Sequence, residues 1–137
     1  MAYKYLYLIL EPEVKIDTIL DVLASTWTHD LIEDARETYN DVKKATNENI
    51  AELTYAVTDE KGKDRDGRKN KKFYKELVLV DYADYLKICD RLANAKHSNS
   101  VGHRMSDMYK SEYTHFKEML YKDTYKPMFE ELDELLK

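Results

Sequence analysis

The chain changes its hydrophobic period in the middle of one stretch, residues 73–92, and no other feature constrains the fold as much. Phe73-Tyr-Lys-Glu-Leu-Val-Leu-Val80 is a short aromatic and β-branched run with the composition of a buried strand. From Asp81 onward the period becomes helical: Tyr82, Tyr85, Leu86, Cys89, Leu92 and Ala93 fall on one face. Asp81 can cap this helix, and Asp84 suits its first turn. A strand feeding an amphipathic helix predicts helices packed on a sheet.

Only 3 Gly and 2 Pro in 137 residues argue against an all-β fold with many tight turns. Tyr3–Leu10 reads as a well-covered strand stopped by Pro12. Ile16–Ser25 reads as a helix with Ile16, Ile19, Leu20 and Leu23 inward. Trp27–Ala45 reads as a second helix, opened by Asp30 with Glu33 as a capping pair, its stripe being Leu31, Ala35, Tyr39 and Val42. Thr46–Asn49 breaks it, because Asn and Thr side chains compete for backbone hydrogen bonds. Residues 46–57 have two readings. Leu53–Thr58 has strand composition, yet Thr46, Ile50, Leu53 and Val57 also continue the preceding helical spacing. The strand reading predicts a β-hairpin pairing Ala51–Thr58 with Phe73–Val80. Residues 59–72, without an apolar side chain, form its exposed tip. Asn94–Gly102 reads as a connection and His103–Asp123 as a long helix. Met105, Met108, Tyr109, Phe116, Met119 and Leu120 line that helix, and Glu112 falls inside the stripe. Pro127 starts a last helix carrying Met128, Leu132, Leu135 and Leu136. The expected fold is α+β, a single domain over 1–137. A small, mainly antiparallel three-stranded sheet is packed on one face by helices, in the order β-α-α-β-β-α-α-α.

Function is read mostly by exclusion. The net charge of -5 argues against a generally basic nucleic-acid-binding domain. The basic excess is local: Arg65, Arg68, Lys69, Lys71 and Lys72 lie at the end of the charged loop. They suit a solvated loop, an arm that touches a partner protein, or contacts to nucleic-acid phosphates. Ser98, Ser100, His103 and Arg104 surround Gly102 near an expected helix start, a set that can receive a nucleotide or another phosphate. The Gly and Lys-Ser/Thr spacing of a P-loop is absent. The histidines at 29, 97, 103 and 115 follow no metal-ligand spacing, so neither metal nor cofactor is expected. Cys89, the one cysteine, reads as a buried thiol, and a lone cysteine fits a reducing compartment, the cytoplasm. No apolar run approaches the roughly 20 residues that span a bilayer, so no membrane role is expected.

Twelve tyrosines supply either the rim of a half-wet core or a recognition surface. This tyrosine- and lysine-rich composition is similar to that of small phage-encoded accessory proteins. With no catalytic constellation, but an aromatic-rich chain and a charged projecting loop, the expected function is that of a non-catalytic binding protein, a phage-type inhibitor of a host (anti-defence) system acting through protein–protein contacts on a host or cognate protein. Nucleotide binding through 97–104 and nucleic-acid binding through 65–72 are the alternatives. A homo-oligomer is expected from the edge of so small a sheet.

Overall fold

The computed structural model describes residues 3–58, 71–102 and 105–137, and among them there is no strand. The described chain is helical: α1 Ile16–Thr28, α2 Leu31–Asp34, α3 Tyr39–Ala45, α4 Glu48–Ala56, α5 Lys71–Leu77, α6 Ala83–Val101, α7 Met105–Leu120 and α8 Lys126–Leu135, with 3₁₀ turns at Leu6–Leu8 and Asp123–Tyr125. The α+β class, the three-stranded sheet and the hairpin are therefore corrected to an all-helical arrangement. With the sheet goes its edge as a reason for oligomerisation.

Each expected strand fails for a visible reason. In 73–80 the buried side chains are Phe73, Tyr74 and Leu77, a helical i, i+1, i+4 set, while Val78 and Leu79 are exposed. Val78, Leu79 and Val80 close tight backbone turns onto Tyr74, Glu76 and Leu77 instead of pairing with another strand. In 50–58 the buried set Ile50, Ala51, Leu53, Thr54, Val57 and Thr58 again has helical spacing. The break at Thr46 does occur, and α4 restarts because the Asn47 side chain accepts the Ile50 N–H at 2.8 Å. The segment is thus neither a strand nor a continuation of the helix before it. At the N-terminus Tyr5 and Ile9 are buried four residues apart around a 3₁₀ turn, and Tyr3 and Tyr7 face solvent.

Two further expectations are corrected. The helix expected over Trp27–Ala45 is three pieces. Arg36 adopts a left-handed φ of 58°, and Thr38 opens α3 with a reciprocal capping box to Asp41. The Asp41 carboxylate accepts from the Thr38 hydroxyl and N–H, which holds it below the ordinary carboxylate range. Asp30, by contrast, makes no side-chain cap. Residues 94–101 are not a connection but the last turns of α6, which ends where Gly102 takes a φ of 63°.

The helices divide into two compact units, with the division inside α6 between Leu86 and Lys87. In the central unit, Leu10–Leu86, helices α1, α2 and α3 pack on α4. Its core includes Ile32, Val42, Ile50 and Ala51. Asp21 on α1 accepts from both Asn47 and Asn49 at 3.0 Å, and the Thr28 and Thr54 hydroxyls meet at 2.7 Å. These bonds fix α1 along α4.

The terminal unit, Met1–Ile9 with Lys87–Lys137, is built on α8, which has Pro127 in its first turn as expected. Met128, Phe129 and Leu132 are fully buried, and the Phe129 ring lies 6.3 Å from Phe116 and 5.3 Å from Tyr121. The polar face of α8 is tied down at two carboxylates. Glu131 accepts from Lys4 and Tyr5, and Asp133 accepts from Tyr113 and Lys117. Burial opposes ionisation of Glu131, but the hydrogen bonds from Tyr5 and Lys4 outweigh it and hold the carboxyl below its usual range. The Tyr113 hydrogen bond does the same for Asp133.

A pH dependence follows. A carboxyl whose pKa is depressed by folding stabilises fully above its unfolded value, about 4. It loses that contribution as pH falls through the folded value. Denaturation midpoints of the terminal unit should therefore drop steeply with acid below about pH 4.5. The Tyr5→Phe/Tyr113→Phe variant should be weaker at neutral pH and lose less on acidification. Equal slopes for the two proteins in urea titrations across pH 3 to 6 would show that these bonds carry none of the dependence.

Candidate protein-binding groove

Helix α4 buries Ile50, Ala51, Leu53 and Thr54 and turns Glu52, Tyr55 and Ala56 the other way. Helix α5 buries Phe73, Tyr74 and Leu77, and its chain then turns tightly through 78–80. Between them lies a groove of about 260 Å³, lined by Glu52, Tyr55, Ala56, Phe73, Glu76, Leu77, Leu79 and Val80. Phe73 and Leu77 are nearly covered, whereas Leu79 at the lip is 80% exposed.

The groove is apolar with carboxylates at its rim. Tyr55 meets Tyr39 edge to face, with centroids 6.2 Å apart, and Tyr39 donates its hydroxyl to Glu52 at 2.7 Å. That bond to a carboxylate, with some burial and the nearby negative charge, raises the Tyr39 phenol to about 12. Glu52 is thereby held in place at one side. Glu76 stands at the other, 3.9 Å from Lys72 and nearly half exposed. Such a site accepts aliphatic side chains and favours flanking Lys or Arg on the ligand.

The terminal unit holds two other polar centres. A cleft of about 270 Å³ is lined by Lys117, Tyr121, Lys126, Phe129, Glu130 and Asp133, but Lys117 is already bound to Asp133 at 3.0 Å. Arg91 is buried, its guanidinium 4.9 Å from the Tyr109 ring centroid and 4.5 Å from that of Phe116. Its Nη2 lies 3.4 Å from the Glu112 carboxylate, and its Nη1 has no hydrogen-bond partner among the described residues. Glu112, in the α7 stripe, is therefore the acid of a buried pair.

Of the expected site residues, Lys71, Lys72, Ser98 and Ser100 are among the described residues. Arg65, Arg68, Lys69, His103 and Arg104 lie outside the described residues. Lys71 and Lys72 are exposed in the first turn of α5. Ser98 is buried within α6, whereas Ser100 is exposed and donates to the His97 carbonyl at 2.8 Å. The two serines thus stand on different sides of α6. Asn99 instead links helix ends, donating to the Leu135 carbonyl at 2.6 Å and accepting from Ser106 at 2.7 Å. Cys89 is a buried thiol, as expected.

The groove residues Glu52, Tyr55 and Leu79 were not singled out in the sequence. One signal was available: a helix that already buries Phe73, Tyr74 and Leu77 has no interior place left for all of Val78-Leu79-Val80. No helix among the described residues is long and apolar enough to cross a membrane. No protein-family model, curated protein or solved structure matches the chain.

Proposed function

We propose that the chain is a non-catalytic binding protein, acting in the cytoplasm, which docks an amphipathic, basic segment of a partner protein in the α4–α5 groove. The supporting observation is the lip: Leu79 is 80% exposed beside an apolar groove whose rim carries Glu52 and Glu76. An exposed aliphatic anchor next to a preformed pocket is the arrangement of an interface centre, and rim carboxylates give it charge selectivity. Occluding a partner's surface, as an inhibitor does, requires nothing more of the chain.

The test is a comparison of wild-type protein with Leu79→Asp, each carrying a photo-crosslinking residue at Val78, in cell lysate. One partner should be crosslinked by the wild type and lost with Leu79→Asp, while the circular dichroism spectrum is unchanged because residue 79 is outside the core. Capture should also weaken with added salt, since the rim contacts are screened. Retention of the same partner at full yield by Leu79→Asp would remove the groove as the docking site. Turnover of a substrate by the purified chain, abolished by one substitution, would overturn the non-catalytic reading.

A further inference from the structure

The α4–α5 groove joins three kinds of group. Its apolar lining includes Ala56, Leu77 and Val80. Tyr55, 44% exposed, contributes an aromatic ring. Glu52 and Glu76 bring carboxylates from the two different helices. Tyr39 is not one of the lining residues, yet it holds two of them. Its hydroxyl donates to Oε1 of Glu52 at 2.7 Å, and its ring meets that of Tyr55 edge to face.

We propose, resting on the docking function proposed for this groove, that it receives one arginine side chain of the basic segment and that Tyr39 is the positioning residue that sets arginine above lysine. The alkyl stem of either side chain suits the apolar lining, so the head group decides. An ammonium is a compact, strongly hydrated point charge that gains from any nearby carboxylate. A guanidinium is planar and less hydrated, stacks on aromatic rings, and offers a fixed fork of donors to two oxygens at once. A carboxylate beside a partly exposed tyrosine matches the second. The fork needs that carboxylate held in one orientation, which the Tyr39 hydroxyl supplies before the ligand arrives.

The chain holds one of its own arginines with the same kinds of group. Arg91 lies against the rings of Tyr109 and Phe116 and pairs with Glu112 at 3.4 Å. The rim also meets a cation already: Lys72 stands 3.9 Å from Glu76, and both side chains are well exposed. Such a pair contributes little and is readily exchanged for a ligand. Other occupants fit worse. An acidic or phosphorylated segment would set like charges against Glu52 and Glu76. A purely aliphatic one would cover the two carboxylates without pairing them.

The test uses four pools of capped twelve-residue peptides. Alanine, leucine and glutamine are mixed at every flanking position, and the central residue is arginine, lysine, citrulline or norleucine. Each pool is titrated against the purified full chain carrying a photo-crosslinking residue at Val78. The arginine pool should reach half-maximal crosslinking at about ten-fold lower concentration than the lysine pool. Citrulline, which keeps the shape and loses the charge, should fall to the norleucine level. Tyr39→Phe keeps the ring against Tyr55 and loses only the bond to Glu52. It should bring the arginine pool to within about two-fold of the lysine pool. Glu52→Gln, at an exposed position, should do the same and serves if Tyr39→Phe does not fold. Equal crosslinking of the arginine and lysine pools by the wild type would overturn the arginine preference; its common loss with Leu79→Asp would still keep the groove as the docking site. Crosslinking that Leu79→Asp leaves unchanged, or none with any pool, would overturn both. A proportional loss on every pool with Tyr39→Phe would overturn the positioning role and leave Tyr39 a structural support.

Discussion

Replacing Glu112 with Ala should destabilise the protein by about 3 kcal/mol or more, and replacing Arg91 with Met should cost clearly less. The two residues form one pair, 3.4 Å apart, so a simple count of contacts predicts equal losses. Burial breaks the symmetry. The Arg91 side chain is 3% exposed and Glu112 is 17% exposed. Removing the carboxylate leaves a guanidinium that cannot reach water and whose Nη1 already lacks a partner among the described residues. The faces of Tyr109 and Phe116 recover part of this cost, which places the effect at the lower end of the range for a broken buried pair. In Arg91→Met the stem is retained, the thioether packs on the same rings, and Glu112 turns toward solvent. The double variant should then be more stable than Glu112→Ala alone, because it removes the stranded charge. Urea midpoints for the three variants and the wild type decide the matter. Equal losses for the two single variants would mean that Arg91 reaches solvent after all.

The parts of the fold that were legible in the sequence are those where one face is apolar and the other is not. Helices α7 and α8, the proline start of α8, the burial of Cys89 and the break at Thr46 follow from spacing and capping chemistry. Glu112 stood out because a carboxylate in an apolar stripe needs a base, and Arg91 supplies it. What misled were short apolar runs without a clean period. Tyr3–Leu10, Ala51–Thr58 and Phe73–Val80 are each eight residues long, a length at which strand and buried helix look alike. Their tyrosines and valines tilt composition toward strand, but that preference reflects packing context more than backbone. Helix α1, which packs on α4, shows a second kind of ambiguity. In α1, Ile16, Ile19, Leu20 and Leu23 were all expected inward, yet Ile19 is buried together with Val22 while Ile16 and Leu20 are exposed. The choice is made by α4, whose Asn47, Asn49 and Thr54 bond to Asp21 and Thr28 and so fix which side of α1 is covered. Nothing within 16–28 itself encodes that. The candidate surfaces were hidden for the same reason: an exposed apolar residue is recognisable only after the core has been filled.

Leu77→Ala and Leu79→Ala put the central correction to a direct test. In a strand, residues two apart share a face, so both leucines would be inside or both outside and the two substitutions would cost alike. In the helix and turn of 71–80 they part company: Leu77 is 1% exposed and Leu79 is 80% exposed. Leu77 belongs to the same buried set as Phe73 and Tyr74, whose rings stand edge to face at 5.2 Å. Truncating it removes buried methyl groups and leaves a cavity, at about 2–5 kcal/mol. Truncating Leu79 removes groups already in water and should change stability by less than about 0.5 kcal/mol. The expected difference exceeds the error of a urea titration several times over. Comparable losses at the two positions would restore the strand and with it the sheet. A large loss at Leu77 alone confirms the helix and leaves Leu79 as a side chain maintained at the surface, beside the groove it is proposed to serve.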